Sequence, residues 1–123
     1  MAAYLNVEVY DSGLDWVGTK ATRLDICSQQ PTDYTGATST YSLGNKTSIS
    51  VAAPSDRAGG GREVIIAAIT DGEVTATGTA SHWALTDGTS ILVAAGPLSA
   101  SQAVTDGNTF TLTSFAIGIP APA

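Results

Sequence analysis

Three Asp-Gly dipeptides in the second half of the chain constrain its fold more than any other feature. Asp71-Gly72, Asp87-Gly88 and Asp106-Gly107 lie 16 and 19 residues apart, and apolar runs flank each of them. In that setting Asp-Gly predicts a tight turn, because Gly adopts positive φ without a steric penalty and Asp tolerates it. The three aspartates are therefore interpreted as turn residues, and the spacing predicts short strands joined by turns.

The residues between these turns alternate with period two, which is typical of strands. A strand over residues 73–80 would place threonines on one face and small apolar residues on the other. Residues 81–85 and 90–94 flank a short turn and predict a hairpin. Residues 62–70 are almost entirely apolar, which predicts a central strand buried on both faces.

Other parts of the chain carry weaker patterns. Residues 22–28 place Leu24 and Ile26 on one face of a strand, and residues 47–51 alternate with Ile49 and Val51 inward. The last apolar run changes phase, because its residues are even-numbered up to Leu112 and odd-numbered from Phe115 onward. A single strand cannot turn both sets toward one core, so we expect a bulge or a change of sheet near residues 113–114.

The N-terminal segment fits two patterns. Its apolar residues alternate at Leu5, Val7 and Val9, but Val7, Tyr10, Leu14 and Val17 also have helical spacing. We favour a short helix here, followed by irregular segments at residues 29–40 and 52–61. The sequence thus predicts one all-β domain, a sandwich or barrel of about seven or eight short antiparallel strands. Within residues 1–123, residues 1–20 form the N-terminal segment, 21–119 the β core and 120–123 an extended tail.

Composition and charge exclude several classes of function. Only 13% of the residues are charged and the net charge is −6, which disfavours binding to nucleic acid. Few residues are typical of helix surfaces, so a helical bundle is not expected. The first residues lack a basic segment followed by an apolar one, and no apolar window is long enough to span a membrane. We therefore expect synthesis in the cytoplasm without a signal peptide.

Residues with catalytic potential are few. His82 is the only histidine and Cys27 the only cysteine. On a strand His82 would point away from Trp83, and Asp87 would lie in a turn, so no nucleophilic triad is expected. Cys27 has no second thiol to pair with and is interpreted as a small buried apolar residue. We expect no enzyme activity, no metal and no cofactor.

Aromatic residues and prolines near the two ends are the candidates for contact with a partner, since aromatic side chains are enriched at protein interfaces. An equally open alternative is that the aromatic residues cover an open end of the core. The candidate set comprises Tyr4, Leu5, Tyr10, Trp16, Tyr34, Tyr41, Pro120 and Pro122.

Four segments occur in an order that resembles a known family. They are RLDICSQQPT (residues 23–32), SHWALTDG (81–88), AAGPLS (94–99) and VTDGNTF (104–110). This pattern, over residues 20–119, resembles a family of small all-β structural proteins from tailed bacteriophages. The resemblance implies a virion component without enzymatic activity, and it carries over no functional residues.

Three functions follow as expectations. The first is a capsid decoration protein that binds the outer head shell and stabilises capsomer joints, with the major capsid protein or further copies of itself as partners. The second is a tail component, such as a tube, collar or fibre-attachment module. The third is a carbohydrate-binding module, which would present an exposed Trp83, whereas we expect Trp83 to be buried.

Overall fold

The computed structural model describes residues 5–121, which form one α-helix, one π-helical turn and nine strands. The helix α1 spans Val7–Lys20, and the π-helical turn spans Gly36–Thr40. The strands are β1 (Arg23–Cys27), β2 (Ser42–Thr47), β3 (Ser55–Asp56), β4 (Arg62–Ile66), β5 (Ile69–Val74), β6 (Gly78–Thr86), β7 (Leu92–Val104), β8 (Thr109–Leu112) and β9 (Phe115–Ile119).

The strands form two antiparallel sheets. The larger sheet has the order β7-β6-β1-β2-β5-β8 and curls into a half-barrel, and the smaller has the order β3-β4-β9. Apolar side chains from both sheets meet in one core, which includes Leu24 and Leu85 from the larger sheet and Ile66 from the smaller. The predicted all-β fold is confirmed.

Helix α1 begins at the N-cap Asn6, whose side-chain oxygen accepts a hydrogen bond from Glu8 N at 2.8 Å. Such a cap satisfies one of the amide groups that the first helical turn leaves without a partner. Leu14 is 1% exposed and belongs to the core, and Tyr10 is 5% exposed. The predicted short helix is confirmed. Val7, the first of the apolar residues whose helical spacing predicted it, is nevertheless exposed.

The chain passes between the two sheets at three places, between β2 and β3, between β4 and β5, and between β8 and β9. Residues 113–114 separate β8 in the larger sheet from β9 in the smaller, so the predicted change of phase is a change of sheet. The predicted continuous strand over residues 62–70 is wrong, because β4 and β5 lie in different sheets. Ala67 and Ala68 join them and are exposed. Ile49 and Val51 pack against the core as predicted, but β2 ends at Thr47.

Two of the three Asp-Gly turns are confirmed, since Gly88 and Gly107 have φ of 76° and 90°. The third prediction is wrong, because Asp71 and Gly72 lie inside β5. Position 72 requires glycine because no side chain fits there: a Cβ would collide with the Phe110 ring on β8. A contact with a residue far along the chain therefore fixes this glycine.

The predicted strand over residues 73–80 has the correct faces but is interrupted. Val74 and Ala80 are buried and the intervening threonines are exposed. Between β5 and β6 the backbone bends around Leu43 O, which accepts hydrogen bonds from the amides of Thr75 and Ala76.

Strand β1 is buried on both faces. Leu24 and Ile26 face the core, while Asp25 and Cys27 face the segment that contains the π-helical turn. The Cys27 thiol lies 3.5 Å from Ala37 O, and burial raises its pKa to about 12. The prediction of a small buried Cys27 is confirmed.

Candidate interaction surfaces

The exposed large apolar side chains of the described residues lie on α1. Val7, Val9 and Trp16, which are 47%, 55% and 46% exposed, are its exposed large hydrophobic side chains. Isolated exposed apolar residues are ordinary on protein surfaces, but a group on one element marks a candidate contact site. These three side chains therefore single out the helix.

Val9 and Trp16 lie on the same side of α1. Seven residues correspond to almost two helical turns, so their directions differ by only about 20°. Gly13 lies between them on this side, and a Cβ there would come 3.6 Å from Ile119 Cδ1. Val9 and Trp16 therefore flank a contact between α1 and β9.

Strand β9 is the last strand of the smaller sheet within residues 5–121, so one edge of its backbone has no strand partner there. Unpaired strand edges can accept a strand from another chain. We refer to Val9, Trp16 and this free edge of β9 as the α1–β9 surface. It combines exposed apolar area with backbone donors and acceptors.

A cluster of ion pairs holds α1 against the smaller sheet. Arg62 on β4 donates hydrogen bonds to Asp11 on α1, at 3.0 Å from Nε to Oδ1 and 3.3 Å from Nη2 to Oδ2. Its Nη1 also donates to Asp56 at 2.7 Å, and Nη2 donates to Pro54 O at 3.2 Å. The two carboxylates raise the pKa of Arg62 above its ordinary value. These hydrogen bonds thus hold α1 in a fixed position beside β9.

A groove opens where the curled sheet fails to close. Strands β7 and β8 are the two edges of the larger sheet, and Gln102 on β7 donates a hydrogen bond from Nε2 to Thr111 O on β8 at 3.1 Å. One side chain thus spans the two edges at a place where no strand ladder joins them. Beyond this contact the edges separate around a groove of about 340 Å³, the seam groove.

An irregularity in β7 shapes one wall of the seam groove. Ala80 on β6 pairs with Gln102, but His82 pairs with Pro97, so residues 98–101 lie opposite Ser81 alone. Such a bulge moves the backbone out of the ladder. Residues 97–99 line one wall, residues 112–115 line the other, and Trp83 lies between them.

Trp83 is partly buried in this groove. Its ring centroid lies 4.5 Å from that of Phe115, with the planes tilted by 37°. A Cβ at Gly96, its cross-strand partner, would lie 2.9 Å from Trp83 Cζ2, so the indole packs directly on the glycine. Trp83, which we expected to be buried, is only partly buried, because the open seam leaves part of the side chain accessible.

The structure divides the predicted contact residues among different locations. Trp16 and Pro120 are exposed, on α1 and directly after β9, and Leu5 is partly exposed just before α1. Tyr10 is only 5% exposed, which corresponds to the alternative that it covers the interior. Tyr34 and Tyr41, both partly buried, belong to the segment over β1, while Tyr4 and Pro122 lie outside the described residues.

Sequence reasoning missed Val9 and the groove around Trp83. The seven-residue spacing of Val9 and Trp16 was an available signal, because it places both on one side of a helix. The seam groove had no comparable local signal.

Polar side chains close to Trp83 in the sequence form two separate sets of hydrogen bonds, one at Ser81 and His82 on β6 and one at Asp87 in the turn after it. Ser81 Oγ donates to Ser28 O at 3.0 Å and lies 2.8 Å from His82 Nδ1, so its one hydrogen is engaged with a carbonyl. The Asp87 carboxylate accepts hydrogen bonds from the amides of Thr89, Ser90 and Ile91. These bonds lower the pKa of Asp87, as expected for a turn residue.

Two further findings concern residues 5–121. They contain no group of three His, Cys, Asp or Glu side chains placed to hold a metal ion. They also include no helix with the length and apolar character needed to cross a membrane.

Comparisons with protein-family models, curated proteins and solved structures found no match to this chain.

Proposed function

We propose that this chain is a structural protein of a tailed-phage particle that binds the outer head shell and stabilises the joints between capsomers. The observation that supports it is the α1–β9 surface, on which exposed apolar side chains adjoin an unpaired strand edge. The order of segments that resembles phage structural proteins and the net charge of −6 agree with the proposal.

The proposed mechanism is burial of the α1–β9 surface against the shell. Trp16 is 46% exposed, and a Trp side chain offers up to about 250 Å² of surface, so binding would bury about 115 Å² there. At about 25 cal/mol per Å², this burial contributes about 3 kcal/mol per contact. A protein bound across a joint stabilises the bound arrangement by mass action, and many copies add their effects.

The test is binding of purified chain to head shells assembled without it. Val9→Ser and Trp16→Ser remove apolar area from the α1–β9 surface without touching the core. Val7→Ser is the matched control, because Val7 is 47% exposed but lies on a different side of the same helix.

We expect Trp16→Ser to weaken binding about 30- to 150-fold and Val9→Ser to weaken it less, as measured by co-sedimentation with shells. Val7→Ser should bind like the parent chain. Equal binding by all three variants, or no binding by the parent chain, would contradict the proposal. Binding to isolated tails and not to heads would support the tail alternative.

Carbohydrate binding is a second candidate, because part of Trp83 is accessible in the seam groove. Ser99 and Thr113 line the same groove, and their hydroxyl groups could accept hydrogen bonds from a sugar or donate hydrogen bonds to it. Titration of the Trp16→Phe variant, in which Trp83 is the only tryptophan, with oligosaccharides would shift the fluorescence if a sugar ring packs on Trp83. An unchanged spectrum across an oligosaccharide panel would remove this candidate.

A further inference from the structure

We propose that the seam groove binds the proline-rich tail of a second copy of this chain, residues 120–123 (Pro-Ala-Pro-Ala). The contact would link one copy to the next, and it does not depend on binding to a head shell. Four observations support it: the backbone of the groove walls, the groove floor, the charge of both partners and the direction of the tail.

Both walls of the groove present backbone that lies outside the strand ladders. On one wall, residues 98–101 face only Ser81 in the β6–β7 pairing. On the other, residues 113–114 lie between β8 and β9 and belong to neither strand. Backbone N–H and C=O groups are obligatory hydrogen-bonding groups, so walls of this kind suit an extended polypeptide.

The floor of the groove is aromatic. Trp83 and Phe115 pack against each other there, and both contact the core while they line the groove. Proline-rich segments adopt an extended left-handed helix before they bind, so they lose little conformational entropy in an aromatic-lined groove. The Pro-Ala-Pro-Ala sequence at residues 120–123 has this composition.

Charge also matches the two partners. The residues that line the groove are uncharged, although the chain carries a net charge of −6. No side chain in residues 119–123 is charged either. An uncharged segment enters such a groove without the cost of burying an unpaired charge, which most other surface segments of this acidic chain would incur.

The direction of the tail shows that the occupied groove belongs to another copy. Phe115 lies at the groove, but β9 then runs about 13 Å away from it to Ile119. Ala121 lies beside Gly60, where a Cβ on the glycine would be 3.2 Å from the Ala121 Cβ. Residues 122–123 add at most about 7 Å, so residues 120–123 cannot return to their own groove.

A contact between one copy's tail and the next copy's groove joins two different surfaces. Such heterologous contacts produce closed rings when the rotation between copies closes, and open chains when it does not. The proposal therefore predicts self-association that increases with concentration.

The first experiment titrates a synthetic peptide of residues 118–123 into the purified chain that carries Trp16→Phe. This substitution leaves Trp83 as the only tryptophan, so a change in fluorescence reports on the groove. We expect a saturable change with a dissociation constant of about 1 mM or tighter. Ser99→Glu in this background should weaken binding at least about tenfold, because it adds a carboxylate to the groove wall.

Ser101→Glu is the matched control. Ser101 is exposed and lies in the same bulge of β7, but it does not line the groove. This variant should bind the peptide like its parent. No fluorescence change at peptide concentrations of about 5 mM, or equal weakening by both glutamates, would overturn the proposal. So would a saturable response to an oligosaccharide with none to the peptide.

The second experiment measures self-association of the full chain by sedimentation velocity. We expect association at chain concentrations above the peptide dissociation constant, and its loss on deletion of residues 120–123 or in Ser99→Glu. A chain that stays monomeric above that concentration would overturn the proposal. Because neither experiment uses phage particles, their outcome is separate from that of the head-shell binding test.

Discussion

Replacement of Asp25 by alanine tests how the fold tolerates a charge inside β1. The Asp25 side chain is 0% exposed and accepts hydrogen bonds from Arg23 Nε at 2.8 Å and Arg23 Nη2 at 3.0 Å. Ser42 Oγ donates a third bond at 2.6 Å. A buried, ionised carboxylate is stable only while its hydrogen-bond partners, here the bidentate guanidinium of Arg23 and the hydroxyl of Ser42, are all in place.

We expect Asp25→Ala to lower the free energy of unfolding by about 3–4 kcal/mol, since removal of one partner from a buried pair costs about 3–5 kcal/mol. The lower part of that range applies because Arg23 is itself 24% exposed and regains some hydration. For a domain of this length, the melting temperature should fall by about 12–16 °C. Urea denaturation followed by circular dichroism measures the effect.

Asp71→Ala is the matched control. Asp71 forms an ion pair with Lys46 at 2.9 Å, almost the same distance, but its side chain is 67% exposed. Exposed pairs contribute about 0–1 kcal/mol, so this variant should unfold close to the parent midpoint. The double variant Arg23→Ala/Asp25→Ala should cost less than the sum of its single variants. Equal losses for Asp25→Ala and Asp71→Ala would refute the argument from burial.

Three further predictions concern other features of the fold. Gly72→Ala should destabilise the chain by about 1–3 kcal/mol in urea denaturation, because its Cβ must displace the Phe110 ring; an unchanged midpoint would contradict the space argument. The Cys27 thiol, with a pKa of about 12 against 9.0 for an ordinary thiol, should resist a disulfide reagent at pH 8 until the chain unfolds, and rapid native-state labelling would contradict this. The pKa of Asp87 in the folded chain is lowered from its ordinary value of 3.8. Its ionised carboxylate therefore stabilises the fold at pH values above 3.8, and this stabilisation is lost as the pH falls through the folded-state pKa. Asp87→Ala should therefore destabilise the chain more at pH 7 than at pH 2, and equal losses at both pH values would count against the amide contacts.

Local patterns in the sequence predicted much of this fold. Period-two alternation located β1 and the β6–β7 hairpin, and the change of phase before Phe115 located a change of sheet. The errors came from contacts between distant residues. Gly72 resembles a turn residue, but the Phe110 ring explains it, and nothing local distinguishes the two causes. The break at residues 67–68 was hidden for the same reason, because two exposed alanines continue an apolar run.

The candidate surfaces were less predictable than the fold. Trp16 was identified from its residue type, and Val9 could have been added from helical spacing. The seam groove depends on residues 98–101 lying opposite Ser81, and this register is set by the pairing of two whole strands. The partial exposure of Trp83 follows from that register and from the gap between β7 and β8, so a strand pattern alone could not predict it.

The most direct test of the proposed function is the number of copies of this chain in a purified phage particle. Quantitative mass spectrometry against the major capsid protein would measure the ratio. The account predicts one copy for each capsid subunit or for every few subunits, on the outside of the head. A handful of copies per particle would contradict a role at capsomer joints and assign the chain to the tail, and its absence from particles would contradict the virion function altogether.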